Sequence, residues 1–364
     1  MTGVAVRRLG AQRLTGEPFA SAVDAVGWLG AVQSQDYGGA KWALGQRTRG
    51  VADADVDALF DGGAILRTHV LRPTWHFVLP DDVRWLLELT GPRVKARLAQ
   101  GDRQMHIDGA VVRRSHAVIE AALRGGAHLT RAELGAALER GGIPASGQRL
   151  GHLAMHAELD GVIVSGPRRG RQFTYALLEE RAPGARRLDR DEALVELTRR
   201  YFRSHGPAQV QDFTWWSGLT AADAKRGLAL AGPALVQETI DGASYWSSPG
   251  AVRLAERGPV VRLLPNYDEF LVAYRDRSAA LDPDRELDLA SFSRSGILTH
   301  VVVVDGWVRG CWSRRLRGRQ VEVELEALDP LDAAGTAALR RALDDLARFL
   351  GAPVTATRAG WRRT

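Results

Sequence analysis

The spacing of apolar residues between residues 111 and 178 predicts three helices followed by a pair of strands. Apolar side chains recur every three or four residues in the helices, and β-branched and aromatic residues mark the strands. Gly, Pro and Arg fill the turn at 165–171. This order is typical of a winged helix, whose third helix can enter the major groove of DNA while the wing contacts phosphates. The predicted elements are helices at 111–123, 129–141 and 146–159 and strands at 162–164 and 173–177.

A similar order of elements recurs on both sides of this unit, less regularly on its N-terminal side. Asp241 and Gly242 provide a strong turn signal for the downstream hairpin. An internal repeat of this kind indicates an array of similar modules. We therefore predict three tandem winged-helix domains, at residues 1–108, 109–185 and 186–250. The further elements are helices at 22–32, 39–47, 53–60, 80–89, 192–202, 210–217 and 220–230 and strands at 65–71, 75–79, 235–240 and 245–246.

Beyond residue 250 the pattern changes to short strands. Asp305 and Gly306 predict a hairpin turn, and an amphipathic helix follows at 333–350. Residues 251–364 are therefore predicted to form a β-rich domain with one closing helix, and the whole chain to have an α+β fold. The predicted strands lie at 260–264, 270–274, 300–304, 307–312 and 320–328.

The composition favours an anionic partner and excludes several kinds of site. The chain has 364 residues, a net charge of +6 and a pI of about 9.9, as nucleic-acid-binding proteins often do. A GC-rich genome would also explain the excess of Arg. The single cysteine, Cys311, excludes an internal disulfide and a Cys-based zinc site and indicates the cytoplasm. No apolar run approaches the ~18 residues of a membrane span, and the His residues lack metal-ligand spacing, so we expect no membrane, metal or cofactor.

Two amides stand out once the familiar hydrolase motifs are found to be missing. Gln33 and Gln35 follow a strongly apolar predicted helix, and Asp36 comes directly after them. Amides one residue apart face the same side of an extended segment, and each can hold a water or a sugar oxygen. The alternative is a turn at the end of a helix, whose polar groups are hydrogen-bonded within the protein.

Three other groups of polar residues are candidates for a site. The first lies on the predicted hairpin at 65–79, where the alternative is a packed strand pair. The second lies at 264–277, where the alternative is an internal ion-pair lattice. The third comprises two basic hairpin tips, which can hold phosphate or simply be solvated loops. The residues are His69, Arg72, Trp75 and His76; Asp268, Arg275 and Arg277; and Arg168, Arg169 and Arg171 with Arg314, Arg315 and Arg317. We expect Arg72, Trp75, His76 and the six arginines of the hairpin tips to contact DNA. We expect His69, Asp268, Arg275 and Arg277 to support the site.

Three stretches resemble the AlkZ-like winged-helix DNA glycosylases, in the order found in that family. They read VQSQDYGGAKWALGQRTRG, LRPTWHFVLPDD and LLPNYDEFLVAYRDR. The resemblance spans nearly the whole chain. It implies three winged helices followed by a barrel-like, β-rich domain. It also implies excision of bulky or cationic N7-alkylated purines, including interstrand crosslinks, from double-stranded DNA.

The resemblance assigns a catalytic Gln-Φ-Gln motif, where Φ is apolar, to Gln33 and Gln35. The sequence departs from this motif at Ser34, which stands in the apolar position. An N7-alkylated purine already carries a positive charge and leaves as a neutral base, so no strong general acid is needed. The amides can then aim a water, while a carboxylate or the DNA phosphates stabilise the cationic sugar. Asp36 and Asp268 are the candidate carboxylates.

Two other functions remain open from the sequence. A winged-helix transcriptional regulator would explain every feature except the Gln pair and the large C-terminal domain. A DNA-binding protein that has lost catalysis is the other alternative. For the glycosylase, we expect a monomer that acts in the cytoplasm, at the nucleoid.

Overall fold

The computed structural model describes residues 3–250, 258–282, 293–294, 297–298, 300–326, 328 and 330–359. The helices are α1 (Val4–Ala11), α2 (Ala22–Leu29), α3 (Tyr37–Gly45), α4 (Asp53–Gly62), α5 (Pro80–Gln104), α6 (Gly109–Leu123), α7 (Arg131–Arg140), α8 (Gly147–Leu159), α9 (Leu178–Arg181), α10 (Arg190–His205), α11 (Val210–Ser217), α12 (Ala221–Ala231), α13 (Glu269–Val272) and α14 (Ala333–Leu350). The strands are β1 (Val32–Gln33), β2 (Leu66–His69), β3 (Trp75–Val78), β4 (Leu129–Thr130), β5 (Ile163–Arg169), β6 (Gln172–Leu177), β7 (Val236–Ile240), β8 (Ala243–Ser247), β9 (Val261–Leu264), β10 (Ser293–Arg294), β11 (Ile297–Leu298), β12 (Val301–Val304), β13 (Trp307–Arg317), β14 (Gln320–Glu326) and β15 (Val354–Ala359).

The first part of the chain places the Gln pair at the edge of a small sheet. Helix α2 ends at Leu29 because Gly30 adopts a φ of 82°, a conformation that favours glycine. The prediction of a helix as far as Val32 is therefore wrong at its end. Strand β1 follows at once and pairs with β3, which also pairs with β2.

Helix α5 is longer than the sequence pattern predicted. Gly91 and Pro92 follow the predicted end at Leu89, but the helix continues to Gln104. Val94 and Leu98 lie beyond the proline, one turn apart, and both are buried. Their burial supports the continued helix, because tertiary packing overrides a local break signal.

The two predicted helix-and-hairpin units have the expected order of elements. Thr130 and Glu133 form the capping box that starts α7, and Asp241 and Gly242 turn between β7 and β8. Strand β4 adds a third strand to the sheet of β5 and β6. The number of winged-helix domains and their boundaries remain predictions, and the boundary at 250/251 adjoins residues 251–257, which lie outside the described residues.

The C-terminal region is β-rich, as predicted, with α14 packed against its sheet. The strand order is β15-β14-β13-β12-β9, and the pairs are antiparallel except for β14 and β15. Within the described residues β9 and β15 form two open edges, so no barrel is closed.

The predicted strand at 270–274 is wrong, because these residues lie mostly in α13. Asp268 starts this helix by accepting a hydrogen bond of 2.9 Å from the backbone N–H of Phe270. In so short an apolar run, the spacing of apolar residues does not distinguish a buried strand from a buried helical turn.

The predicted hairpin tip that carries Arg314, Arg315 and Arg317 is also corrected. Strand β13 extends to Arg317, and Arg314 pairs with Val323 on β14. The turn lies at Gly318, whose φ is 62°. Arg314, Arg315 and Arg317 are therefore strand residues rather than loop residues.

The N-terminal helices share a hydrophobic core with the C-terminal sheet and α14. Trp42 on α3 donates a hydrogen bond of 2.7 Å to the carbonyl of Leu263, and its ring lies 5.1 Å from that of Phe349. The Gln pair, just before α3, therefore lies where the two ends of the chain meet. No described helix is both long and apolar enough to cross a membrane.

Candidate active site around Gln33 and Gln35

The backbone of the Gln pair is held on both sides. Gln33 pairs with His76 across β1 and β3, and the N–H of Ser34 donates to the carbonyl of Trp75 at 2.8 Å. The carbonyl of Ser34 accepts hydrogen bonds of 3.1 and 3.2 Å from the guanidinium of Arg67. The segment is thus a strand end rather than the helix-terminal turn that the sequence left open.

The side chain of Gln33 has a defined orientation. Its Oε1 accepts a hydrogen bond of 2.9 Å from Nη2 of Arg72, whose Nη1 also donates to the carbonyl of Val272 at 3.3 Å. Because a guanidinium only donates, the amide oxygen must face Arg72. Nε2 has no partner among the described residues, so it is the end that can donate to a water or substrate. Gln35, in contrast, is exposed.

A buried carboxylate holds the backbone of Gln33. Glu269 accepts hydrogen bonds of 2.9 Å from the backbone N–H of Gln33 and from Nε1 of Trp216, and Nε2 of His205 lies 3.5 Å from it. Burial alone would raise the pKa of this carboxyl, but the hydrogen bonds and the charge of Arg72 hold the pKa below its ordinary value. Glu269 is therefore negative at neutral pH and anchors the motif.

Asp36 lies at the start of α3, beside an arginine of the C-terminal sheet. Its Oδ1 accepts a hydrogen bond of 3.0 Å from the N–H of Gly39. A Cβ built on Gly38 would lie 3.5 Å from Nη2 of Arg314 and 3.9 Å from Oδ1 of Asp36. Nη1 of Arg314 is buried and has no partner among the described residues. The carboxylate of Asp36 and the hydrogen-bond donors of Arg314 thus flank the N-terminus of α3.

His300 and Tyr267 complete this polar group. Burial lowers the pKa of His300 to about 4, while Asp36 raises that pKa and Arg314 lowers it. Burial and the charge of Asp36 raise the pKa of Tyr267. Both residues are therefore neutral at pH 7 and within electrostatic reach of Asp36. They can donate or accept hydrogen bonds without adding charge to the site.

Asp268 does not face solvent. Its two oxygens accept hydrogen bonds of 2.7 and 2.8 Å from the guanidinium of Arg47, and both side chains are fully buried. The structure thus favours the internal ion-pair alternative for Asp268. The negative charge beneath the motif comes instead from its neighbour Glu269.

Two of the predicted DNA-binding residues are buried within the protein. Arg72 contacts Gln33, as described above, and His76 is fully enclosed with Nδ1 2.8 Å from the carbonyl of Thr74. Burial lowers the pKa of His76, which is therefore neutral. The expectation that these two side chains contact DNA is corrected, because neither reaches the surface. Trp75 is half-buried, and His69 is buried against Glu158.

The basic residues of the wing between β5 and β6 differ in whether they already have an ion-pair partner within the protein. Arg168 pairs with Asp57 and Asp61, each at 3.0 Å, which ties the wing to α4. Arg169 pairs with Glu133 at 2.6 Å. Arg171 is exposed and makes no hydrogen bond or ion pair within the described residues. The phosphate-binding expectation therefore fits Arg171 best and is corrected for Arg168.

The remaining predicted cations lie at the surface or close to it. Arg315 and Arg317 are exposed on β13, and Arg317 lies 3.3 Å from Glu322. Arg275 is exposed, whereas Arg277 donates to the carbonyl of Leu271 at 3.0 Å. None of these four contacts the Gln pair.

The sequence analysis missed four residues of the site, namely Arg67, Tyr267, Glu269 and His300. Arg67 and His300 lack any local signal, because they reach the motif through distant pairings. Glu269 stands beside Asp268 in one of the three family-like stretches. The two neighbouring carboxylates have different partners, Arg47 for Asp268 and the backbone of Gln33 for Glu269.

Ser34 departs from the apolar residue that the resemblance implies, and its surroundings explain the preference. Ser34 is fully buried, and its Oγ has no partner among the described residues. An unsatisfied buried hydroxyl costs about 1–3 kcal/mol. We therefore expect Ser34→Ala to stabilise the fold by roughly 1 kcal/mol, measured by chemical denaturation. A loss of stability would show that this hydroxyl is hydrogen-bonded, for example to a water.

Known protein families and solved structures include matches to this chain. The family model described as DNA glycosylase AlkZ-like matches residues 26–349. No curated protein matches the chain. The solved structure of Streptomyces sahachiroi DNA glycosylase AlkZ shares its fold, with a TM-score of 0.79 and 21% identity over 97% of this chain and 98% of that one. The chain therefore belongs to the AlkZ-like DNA glycosylase family, a family of DNA repair enzymes whose partner is DNA.

Proposed function

We propose that this glycosylase is monofunctional and acts as a monomer on double-stranded DNA, hydrolysing the N-glycosidic bond of bulky or cationic N7-alkylated purines, including those in interstrand crosslinks. The observation that carries the proposal is the fixed amide of Gln33. Arg72 and Glu269 orient it so that Nε2 is free to donate, and the exposed Gln35 and the carboxylate of Asp36 follow it directly. Groups that can donate to and accept from a water thus follow one another closely in the chain.

Excision of such a base needs few groups beyond Gln33, Gln35 and Asp36. The alkylated purine carries a positive charge, and the electron pair of the C1′–N9 bond neutralises it as the base leaves. A water adds its oxygen to C1′ and gives its proton to Asp36 or to solvent. Donors and acceptors placed before the reaction stabilise the developing charge more strongly than bulk water does. The roles are donation by Gln33, water positioning by Gln35, and charge stabilisation by Asp36.

The environment of Lys41 supports the monofunctional assignment. A bifunctional glycosylase needs a free amine to attack C1′. Lys41 on α3 is buried, and its ammonium lies 2.7 Å from Asp53 and 2.9 Å from Asp57. Because two carboxylates hold this ammonium inside the protein, it is not placed to attack C1′.

The decisive experiment uses a duplex that contains N7-methylguanine at one position. We expect strand breaks only after alkali, which cleaves the abasic site left by a monofunctional glycosylase. Breaks without alkali would contradict the monofunctional assignment. Retention of a specific sequence without breaks would favour a transcriptional regulator, and unspecific binding without breaks a catalytically silent protein.

Binding to DNA is expected to depend on the exposed wing arginine. Arg171→Ser should lower the slope of log K against log salt by about 0.9, the amount for one phosphate contact. Arg168→Ser is the matched control, because its ion pairs hold it against α4. It should leave the salt slope unchanged and lower the melting temperature instead. Equal slopes for wild type and Arg171→Ser would show that the wing does not contact phosphate.

A further inference from the structure

An exposed tryptophan lies close to the Gln pair, on α11. Trp215 is 45% exposed, whereas its neighbour Trp216 is fully buried in the core. Single apolar residues are common on protein surfaces, so the surroundings of this indole decide whether it has a role. Two features of these surroundings, its hydrogen bond and the charges beside it, point to a partner.

A short series of hydrogen bonds joins this indole to Gln33. Nε1 of Trp215 donates to the carbonyl of Val272 at 3.1 Å, and the same carbonyl accepts from Nη1 of Arg72 at 3.3 Å. Nη2 of Arg72 in turn donates to Oε1 of Gln33 at 2.9 Å. Because the indole N–H, the only polar group of this side chain, is bonded to the protein, the part of the ring that reaches solvent is apolar π-surface.

Positive charges lie beside the indole and beside Arg72. The guanidinium of Arg277 lies 5.9 Å from the ring centre of Trp215. Burial lowers the pKa of Arg72, the charge of Glu269 opposes this, and the charges of Arg277 and Arg97 lower the pKa further. Because such effects fall with distance, both arginines lie within electrostatic reach of Arg72.

These cations have little internal compensation. Arg97 on α5 and Arg275 are exposed, and neither side chain forms a hydrogen bond or ion pair with any residue that the structure describes. The guanidinium of Arg277 donates only to the carbonyl of Leu271. One acid, Asp276, stands between Arg275 and Arg277 in the chain, which leaves a net positive charge. We call Arg97, Trp215, Arg275 and Arg277 the Trp215 surface.

This combination of charge and π-surface suits DNA whose base stacking is interrupted. In a continuous duplex the faces of the bases are covered by their neighbours, so an indole has no base to stack on. An unpaired or displaced nucleotide uncovers such a face. Surfaces that bind unstacked nucleotides combine arginines or lysines along the backbone with aromatic rings on which the bases stack.

We propose that the Trp215 surface binds DNA at an interruption of the base stack, with the indole stacked on the uncovered face of a nucleobase and the arginines at the flanking phosphates. This inference rests on the proposed function, which places the reacting nucleotide at Gln33. It adds a source of specificity, because a modified base in a disrupted stack is then bound more tightly than the same base in a regular duplex.

The test uses two undamaged duplexes of one sequence, one fully paired and one with a single unpaired adenine. Binding is measured by fluorescence anisotropy, so it does not depend on excision. Trp215→Phe keeps a π-face and Trp215→Leu does not, while both lose the hydrogen bond to Val272. Trp307→Leu is the matched control, because Trp307 on β13 is 36% exposed and its ring centre lies 5.2 Å from the guanidinium of Arg309.

We expect the wild type to bind the duplex with the unpaired adenine about 10-fold more tightly than the paired duplex, the scale of one stacked base. Trp215→Leu should bind both duplexes equally, and Trp215→Phe should keep a preference of about 3-fold or more. Trp307→Leu should behave as wild type.

Arg97→Gln separates charge from stacking. It should weaken binding of both duplexes by the same factor and lower the slope of log K against log salt by about 0.9, the amount for one phosphate contact. The preference for the unpaired adenine should remain. An unchanged salt slope would remove Arg97 from the proposed surface.

Equal binding of the two duplexes by the wild type overturns the inference, and so does the same preference in Trp215→Leu and Trp215→Phe. Loss of the preference in Trp307→Leu would also overturn it. Excision of N7-methylguanine from a paired duplex is measured separately. A preference without excision leaves the Trp215 surface standing while the proposed excision fails, and excision without a preference does the reverse.

Discussion

Gln35→Ala is expected to lower the excision rate of N7-methylguanine by about 10-fold or more while duplex affinity and melting temperature stay near wild type. Gln35 is exposed and follows the backbone that Arg67 and Trp75 hold in place, so its side chain contributes little to folding. Removing one positioned polar group from a transition state typically costs between 10- and 1,000-fold in rate. The effect should appear in single-turnover rates at saturating enzyme.

Gln104→Ala provides the control for this prediction. Gln104 is also exposed, at the last residue of α5, and has no hydrogen-bond partner in the described part of the chain. Its replacement should change neither rate nor affinity. If Gln35→Ala weakened binding as much as excision, the amide would serve DNA docking rather than the chemical step.

Sequence patterns predicted those parts of the fold that depend on neighbouring residues. The start of α7 was predicted from its capping box, α11 from apolar spacing, and the β7–β8 hairpin from Asp241 and Gly242. In each case the residues that determine the element lie within it. The ends of α2 and α5 were less predictable, because packing decides whether a glycine or proline ends a helix.

The candidate site depends on contacts between residues that are far apart in the chain. Gln33 and Gln35 were found because they are close together, but the groups that orient Gln33 are Arg72 and Glu269, which stand 39 and 236 residues away. Single-sequence spacing carries no information about such pairings. Likewise, Arg168 looked like a free cation because its partners Asp57 and Asp61 lie on α4, far away in the chain.

The two neighbouring acids at 268 and 269 illustrate how a local error changes a functional assignment. A strand at 270–274 would have left Asp268 free to face a site. The observed helix α13 turns Asp268 towards Arg47 and its own helix start, and turns Glu269 towards the backbone of Gln33. The family-like stretch contacts the candidate site through Glu269, whereas Asp268 faces the protein interior.

Asp268→Asn is expected to destabilise the fold strongly while the folded enzyme keeps its excision rate. The substitution removes one partner of a fully buried bidentate ion pair and leaves the guanidinium of Arg47 without a counterion. Breaking such a pair from one side costs roughly 3–5 kcal/mol. The asparagine retains a side-chain oxygen that can still accept from the N–H of Phe270, so the loss reports mainly on the ion pair. Chemical denaturation should show a much lower midpoint.

The control and the rate measurement separate structure from catalysis. Asp241→Asn makes the same chemical change at an exposed hairpin turn that also suits asparagine, and should alter stability by no more than about 0.5 kcal/mol. Excision is then compared under conditions where circular dichroism shows both variants to be folded. We expect Asp268→Asn to excise within about 3-fold of wild type there, since its carboxylate does not face the substrate. A folded Asp268→Asn variant with a 100-fold slower rate and unchanged stability would instead place this carboxylate in the catalytic machinery.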